Sequence, residues 1–138
     1  GLDRVFLTYA LPPTTAVYGF GSQYTANNVR GRVVPVLVSE QGVGRGLQPV
    51  TAVLDLFGHG AGGNWATTYG AAPHYITDTN RSLALDNTEY ATFDLSAHDR
   101  VDVCVRVAPS DGIRARVIAA RGGGPKALIE TYTSWSGR

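Results

Sequence analysis

A chain of 138 residues is one domain's worth, and 43% hydrophobic with 17% charged residues is the composition of a folded globular protein rather than a disordered segment. A formal net charge of +1, with Arg30, Arg32 and Arg45 too far apart to follow a phosphate backbone, argues against a nucleic-acid partner. There is no long apolar run and no charged-then-apolar leader, so no membrane is implied and a cytoplasmic setting is the expectation.

Taken in chain order, Val5 to Ala10 reads as a first strand, and Val33 to Val38 as another after a turn-rich interval. Glu40 to Gly46 then holds Gly42, Gly44 and Gly46, which permit positive φ and close backbone approach; a tight strand-to-helix connection is the plain alternative to a ligand-facing loop. Val50, Val53, Leu54 and Phe57 recur at i, i+3, i+4 and i+7, with Pro49 before them and Gly58 after, so a short amphipathic helix is predicted. The segment Ala61-Gly62-Gly63-Asn64-Trp65-Ala66-Thr67-Thr68-Tyr69 follows as a loop.

Beyond it, His74 to Thr77, Leu83 to Leu85, Tyr90 to Leu95, Arg100 to Val107 and Ile113 to Ala119 are β-rich runs bounded by turn residues. Polar and apolar residues alternate from Asp99 to Val107, giving a strand with one wet face. The Pro109-Ser110-Asp111-Gly112 turn predicts that this strand and the next form a hairpin. Gly124-Pro125 opens a second helix, with Leu128, Ile129, Tyr132 and Trp135 on one side and Gly137 as its stop. Several half-buried strands hide their apolar faces most simply in an antiparallel sandwich, and residues 1–138 read as a single domain.

The chemistry-bearing residues are sparse. Cys104 lies in the alternating run and reads as an inert, packed side chain, since no nearby base serves it. His59, His74 and His98 are widely spaced without Cys partners, so neither a metal site nor any other cofactor is expected. Asp55, Asp86, Glu89, Asp94 and Asp99 could in principle supply a pair of catalytic carboxylates, but their helix, turn and strand-end positions favour structural roles. Trp65 and Tyr69 combine apolar rings with polar tips, as a sugar-stacking platform requires; aromatic residues in loops also commonly anchor into the core.

The runs Tyr18-Gly19-Phe20-Gly21-Ser22-Gln23-Tyr24-Thr25, Ser39 to Gly46, Ala61 to Tyr69 and Leu128 to Thr133 together resemble the N-terminal β-sandwich of glycoside hydrolase family 31, within its bacterial α-glucosidase and sulfoquinovosidase branch. The resemblance implies a galactose-mutarotase-like antiparallel sandwich with one inserted helix and a C-terminal exit helix. It also implies a parent protein that is a retaining α-glycosidase acting on an α-glucoside or a sulfonated sugar. The family's two catalytic aspartates belong to a barrel that follows this domain, so no catalytic residue is assigned here and that barrel is the implied partner. The abrupt ends of the chain, with no Met at the start, fit a piece of such a longer protein.

In the family, loops at this edge of the sandwich help shape the sugar pocket. The resemblance therefore makes Gln23, Glu40, Gln41, Arg45, Trp65 and Tyr69 candidates for pocket lining or inter-domain pairing. The guanidinium of Arg45 suits a carboxylate or a sulfonate, because it presents paired donors in one plane. Ser22 stands where the family usually has Glu, and so lacks the carboxylate that in the family helps tie this segment to its surroundings. A stand-alone carbohydrate-binding module and a purely structural domain are the competing readings.

Overall fold

A computed structural model describes residues 3–22, 25–39, 47–58, 62–107 and 112–137. The described residues form eight strands and two helices. The strands are β1 (Arg4–Ala10), β2 (Val17–Gly21), β3 (Val33–Val36), β4 (Ala71–Thr77), β5 (Arg81–Leu85), β6 (Ala91–Asp94), β7 (Arg100–Arg106) and β8 (Ala115–Ala119). Helix α1 (Val50–Phe57) lies between β3 and β4, and α2 (Gly124–Ser136) follows β8.

Two antiparallel sheets of four strands result, ordered β1-β7-β6-β3 and β2-β4-β5-β8. Period-two patterning produces the layering: Val101, Val103 and Val105 of β7 are fully buried, whereas Asp102 and Cys104 between them face outward and are half-buried. Cys104 is therefore less enclosed than expected. It sits on the wet face of its strand, paired with Thr92 on β6 and with the exposed Phe6 on β1.

The core is pinned by three rings drawn from both sheets. Phe20 of β2 meets Phe93 of β6 edge-on at 5.0 Å, and Tyr75 of β4 lies 5.8 Å from Phe20 and 6.1 Å from Phe93. All three are almost completely buried, and such contacts add about 0.5–1.5 kcal/mol each beyond area burial. Burial raises the pKa of the Tyr75 hydroxyl well above the usual phenol value, so it stays protonated.

Two expectations need correcting. The strands flanking Pro109 do not form a hairpin: β7 belongs to one sheet and β8 to the other. Both edges of β7 are already occupied, by β1 and β6, so β8 pairs instead along the open edge of β5, Arg81 opposite Ala119 and Leu85 opposite Ala115. The chain thus crosses between layers where a local turn was predicted. Helix α1 forms over the predicted residues, but its apolar stripe is not its buried side. Thr51 is buried and Leu54 half-buried, while Val50, Val53 and Phe57 are exposed.

Helix α2 packs most of its predicted stripe, Leu128, Tyr132 and Trp135, against the outer face of the second sheet, whereas Ile129 stays exposed. Leu128 is fully enclosed, Tyr132 stacks on His74 of β4 at 3.9 Å with the rings 5° from parallel, and Arg116 of β8 lies 4.4 Å over the Trp135 ring. Gly124-Pro125 starts the helix at its first turn, and the Gly137 N–H closes it by donating to the Thr133 carbonyl. No helix among the described residues is long and apolar enough to cross a membrane.

Candidate functional site

At the end of β2 the backbone leaves ordinary strand geometry for three successive residues. Gly19, Phe20 and Gly21 have φ of +129°, +65° and +85°, and the register with β4 shifts between Gly19 and Gly21 as a bulge. The two glycines are required by space as well as by φ. A Cβ on Gly21 would lie 2.0 Å from the Gly70 carbonyl oxygen, and one on Gly19 would lie 2.7 Å from that of His74. Phe20 tolerates the left-handed region because its ring is locked among Tyr75 and Phe93.

The bulge delivers Ser22 to the loop before β4. The Ser22 N–H donates to the Gly70 carbonyl at 2.7 Å, and the Ser22 carbonyl accepts from Thr68 Oγ1 at 2.9 Å. On its other side, the Thr68 carbonyl accepts from the Ser39 N–H at 3.0 Å. Thr68 is 1% exposed, and it ties together three stretches that are distant in sequence: the end of β2, the chain leaving β3, and the loop entering β4.

That loop is internally braced. Asn64 Oδ1 accepts from the Ala66 N–H at 2.8 Å, an Asx turn, and Thr67 Oγ1 accepts from the Asn64 N–H at 2.8 Å. Trp65 is half-buried against the core, with its carbonyl accepting from Thr25 Oγ1 and the Arg32 guanidinium 4.9 Å above its ring. Tyr69 is 58% exposed. A shallow groove of about 360 Å³ is lined by Val36–Val38, Asn87–Tyr90, Ala71 and Pro73. Glu89 at its rim has its carboxyl pKa held below the usual value by its own backbone N–H and by the Asn87 amide, so it carries negative charge there.

The structure thus places the sequence candidates unevenly. Trp65 and Tyr69 share the braced loop, Trp65 anchored and Tyr69 presented outward. Gln23, Glu40, Gln41 and Arg45 lie outside the described residues, although Ser22 and Ser39, which directly precede Gln23 and Glu40, meet at Thr68. Neither the bridging role of Thr68 nor the place of Arg32 over Trp65 was readable from the sequence, because neither a bridging threonine nor a cation over an indole has a spacing signature. The five acidic candidates are spread out: Asp55 accepts from Gly62, Asp94 caps Ser96, Asp99 pairs with Arg100, and Glu89 accepts from Asn87, while Asp86 lies beside Arg114. Among the described residues no three His, Cys, Asp or Glu are grouped so as to hold a metal.

No protein-family model matches the chain. Individual proteins do. The sulfoquinovosidase of Escherichia coli K12 is 33% identical over 95 residues, 69% of this chain, and that of Agrobacterium fabrum is 28% identical over 109 residues, 78% of this chain. A solved family 31 sulfoquinovosidase from E. rectale, in complex with the aza-sugar inhibitor IFGSQ, superposes on 99% of the chain with a TM-score of 0.87 and 28% identity. The chain is homologous to part of the glycoside hydrolase family 31 sulfoquinovosidases. It spans only about 14% and 16% of the two curated sulfoquinovosidases and 20% of the E. rectale chain. That share, with the β-sandwich fold, is consistent with a non-catalytic domain of a glycoside hydrolase, and the resemblance read from the runs Tyr18 to Thr25, Ser39 to Gly46, Ala61 to Tyr69 and Leu128 to Thr133 is borne out at the level of the family.

Proposed function

We propose that residues 1–138 form the N-terminal, non-catalytic domain of a retaining α-glycoside hydrolase that acts on a sulfonated sugar, and that the loops gathered at Thr68 wall the mouth of the sugar pocket built by the catalytic barrel of the same polypeptide. The observation that carries this reading is the Thr68 bridge, in a chain whose fold follows a sulfoquinovosidase along nearly its whole length. Ser22, Ser39 and the Asn64–Gly70 loop meet at this one buried threonine, and the loop carries Trp65 and Tyr69. Between Gly19 and Gly21, Phe20 is held at φ +65°, a backbone strain of the kind that persists where geometry serves a site.

Within this reading, Tyr69 contributes an exposed ring with a polar tip and Arg45 a forked donor for the sulfonate, while Trp65 stiffens the loop from below. The stand-alone sugar-binding module is less well supported, since one face of the Trp65 indole already carries Arg32.

The test is steady-state kinetics of the complete gene product with a sulfonated α-glucoside and its unsulfonated counterpart. Arg45→Ala should raise KM for the sulfonated substrate about tenfold or more, as loss of a charge-assisted contact does, with little change for the other. Tyr69→Ala should raise KM for both. If Arg45→Ala and Tyr69→Ala both leave the kinetics as they were, the domain is a purely structural support.

A further inference from the structure

Helix α1 is covered on the wrong side for a helix that belongs to this sandwich alone. Val50 and Val53 are about half exposed, Leu56 and Phe57 are 79% and 83% exposed, and Leu47 just before them is 66% exposed. An isolated helix of eight residues does not hold itself together in water, so its stability must come from packing. Among the described residues its contact is with Gly62: Thr51 and Asp55 face it, an added Cβ there would lie 2.5 Å from the Thr51 carbonyl oxygen, and Asp55 Oδ1 accepts from the Gly62 N–H at 3.0 Å. From Val50 to Phe57 there is no Lys, Arg or Glu, and the single acid, Asp55, is turned to that bond. Gly62 in turn leads directly into the loop braced around Thr68.

We infer that the Leu47–Phe57 face is the seat of the remaining polypeptide of the same protein, so that α1 rather than α2 carries the junction to the rest of the enzyme. This rests on the pocket-wall reading above and adds the place of contact. The homologues supply the occupant: the counterpart of this chain makes up 14% to 20% of theirs, so each carries several times as much further polypeptide. Area argues against a second copy instead. A helix of eight residues is about 12 Å long and its exposed face is well below the roughly 800 Å² per partner that a stable dimer buries. An intramolecular contact, held at high effective concentration, works with less. The uncharged face also suits a permanent contact better than a transient one. Helix α2 is already committed to the second sheet through Leu128 and Tyr132, and only Ile129 of its stripe is left exposed.

The test compares the 138-residue chain with the complete product of its gene by amide hydrogen exchange and sedimentation. The α1 amides should exchange at least about tenfold more slowly in the complete product than in the chain alone. The double variant Leu56→Lys/Phe57→Lys should leave the melting temperature of the isolated chain nearly unchanged, yet restore fast α1 exchange in the complete product. Equal exchange in the two proteins overturns the inference while leaving the pocket wall to be judged by the Arg45 and Tyr69 kinetics. An isolated chain that sediments as a dimer, and as a monomer once doubly substituted, makes a second copy the occupant and also overturns it. A gene product that ends at Arg138 overturns both this inference and the reading on which it rests.

Discussion

The carbonyl of Ser22 and the hydroxyl of Thr68 are joined by a hydrogen bond of 2.9 Å across 46 positions of sequence, while the Thr68 backbone carbonyl holds the Ser39 N–H. Thr68→Val keeps the shape of the side chain and removes the donor, leaving a part-buried carbonyl without this partner. Loss of about 1–3 kcal/mol is expected in urea unfolding, with Thr68→Ser close to wild type. Equal stability of the Val and Ser variants would show that the bridge does not hold the loops.

Gly21→Ala meets both a φ of +85° and a backbone oxygen 2.0 Å from the new Cβ. The comparison is Gly31→Ala, where φ is +82° but no atom lies within 4 Å. Left-handed strain alone costs about 1–2 kcal/mol, so Gly31→Ala should lose about that much and Gly21→Ala clearly more, read as the difference in unfolding midpoints. Equal losses would mean that the β2 bulge opens at no extra cost.

Leu128 and Ile129 are neighbours on α2 with opposite fates, 0% and 48% exposed. Leu128→Ala should cost about 2–5 kcal/mol through lost burial and a residual cavity, whereas Ile129→Ala should cost well under half as much. Comparable losses at the two positions would argue that α2 does not lie as described.

How much of this was legible in the sequence depended on range. Helix α2 was readable because Gly124-Pro125 and Gly137 punctuate it and its stripe has the right period. Its stacking partner His74 was not readable, since nothing at position 74 signals which helix covers it. The strand β2 escaped notice because its buried residues, Val17 and Phe20, are three apart rather than two, and only the bulge between Gly19 and Gly21 brings them to one face. Conversely, the alternation of Asp99 to Val107 gave the right faces but the wrong neighbour for β7, since pairing depends on which sheet edges remain open. Of the candidate site, the glycines and the Trp65–Tyr69 loop were legible from residue type, but the buried threonine that unites them was not.

Burial lowers the His74 pKa from 6.5 to about 4, and the ring is held neutral between Tyr132 and Ser82 Oγ, 3.2 Å from Nε2. The unfolded chain therefore takes up this proton at higher pH than the folded one. The contribution of the neutral ring is complete above about pH 6.5 and is lost as pH falls toward about 4. His74→Phe keeps a ring on Tyr132 and should have a flatter melting temperature between those limits. Parallel pH profiles for the two proteins would rule out His74 as the source.

The chain holds two tryptophans, and each lies beneath a guanidinium: Trp65 in the braced loop under Arg32, and Trp135 on α2 under Arg116. Replacing either with Phe leaves one indole as an intrinsic fluorophore confined to one region, with a nearby cation that tunes its emission. Trp135 then reports only the docking of the last helix, and Trp65 only the integrity of the loop. Whether these regions come apart together or one before the other becomes an optical measurement on the chain itself, with no added dye.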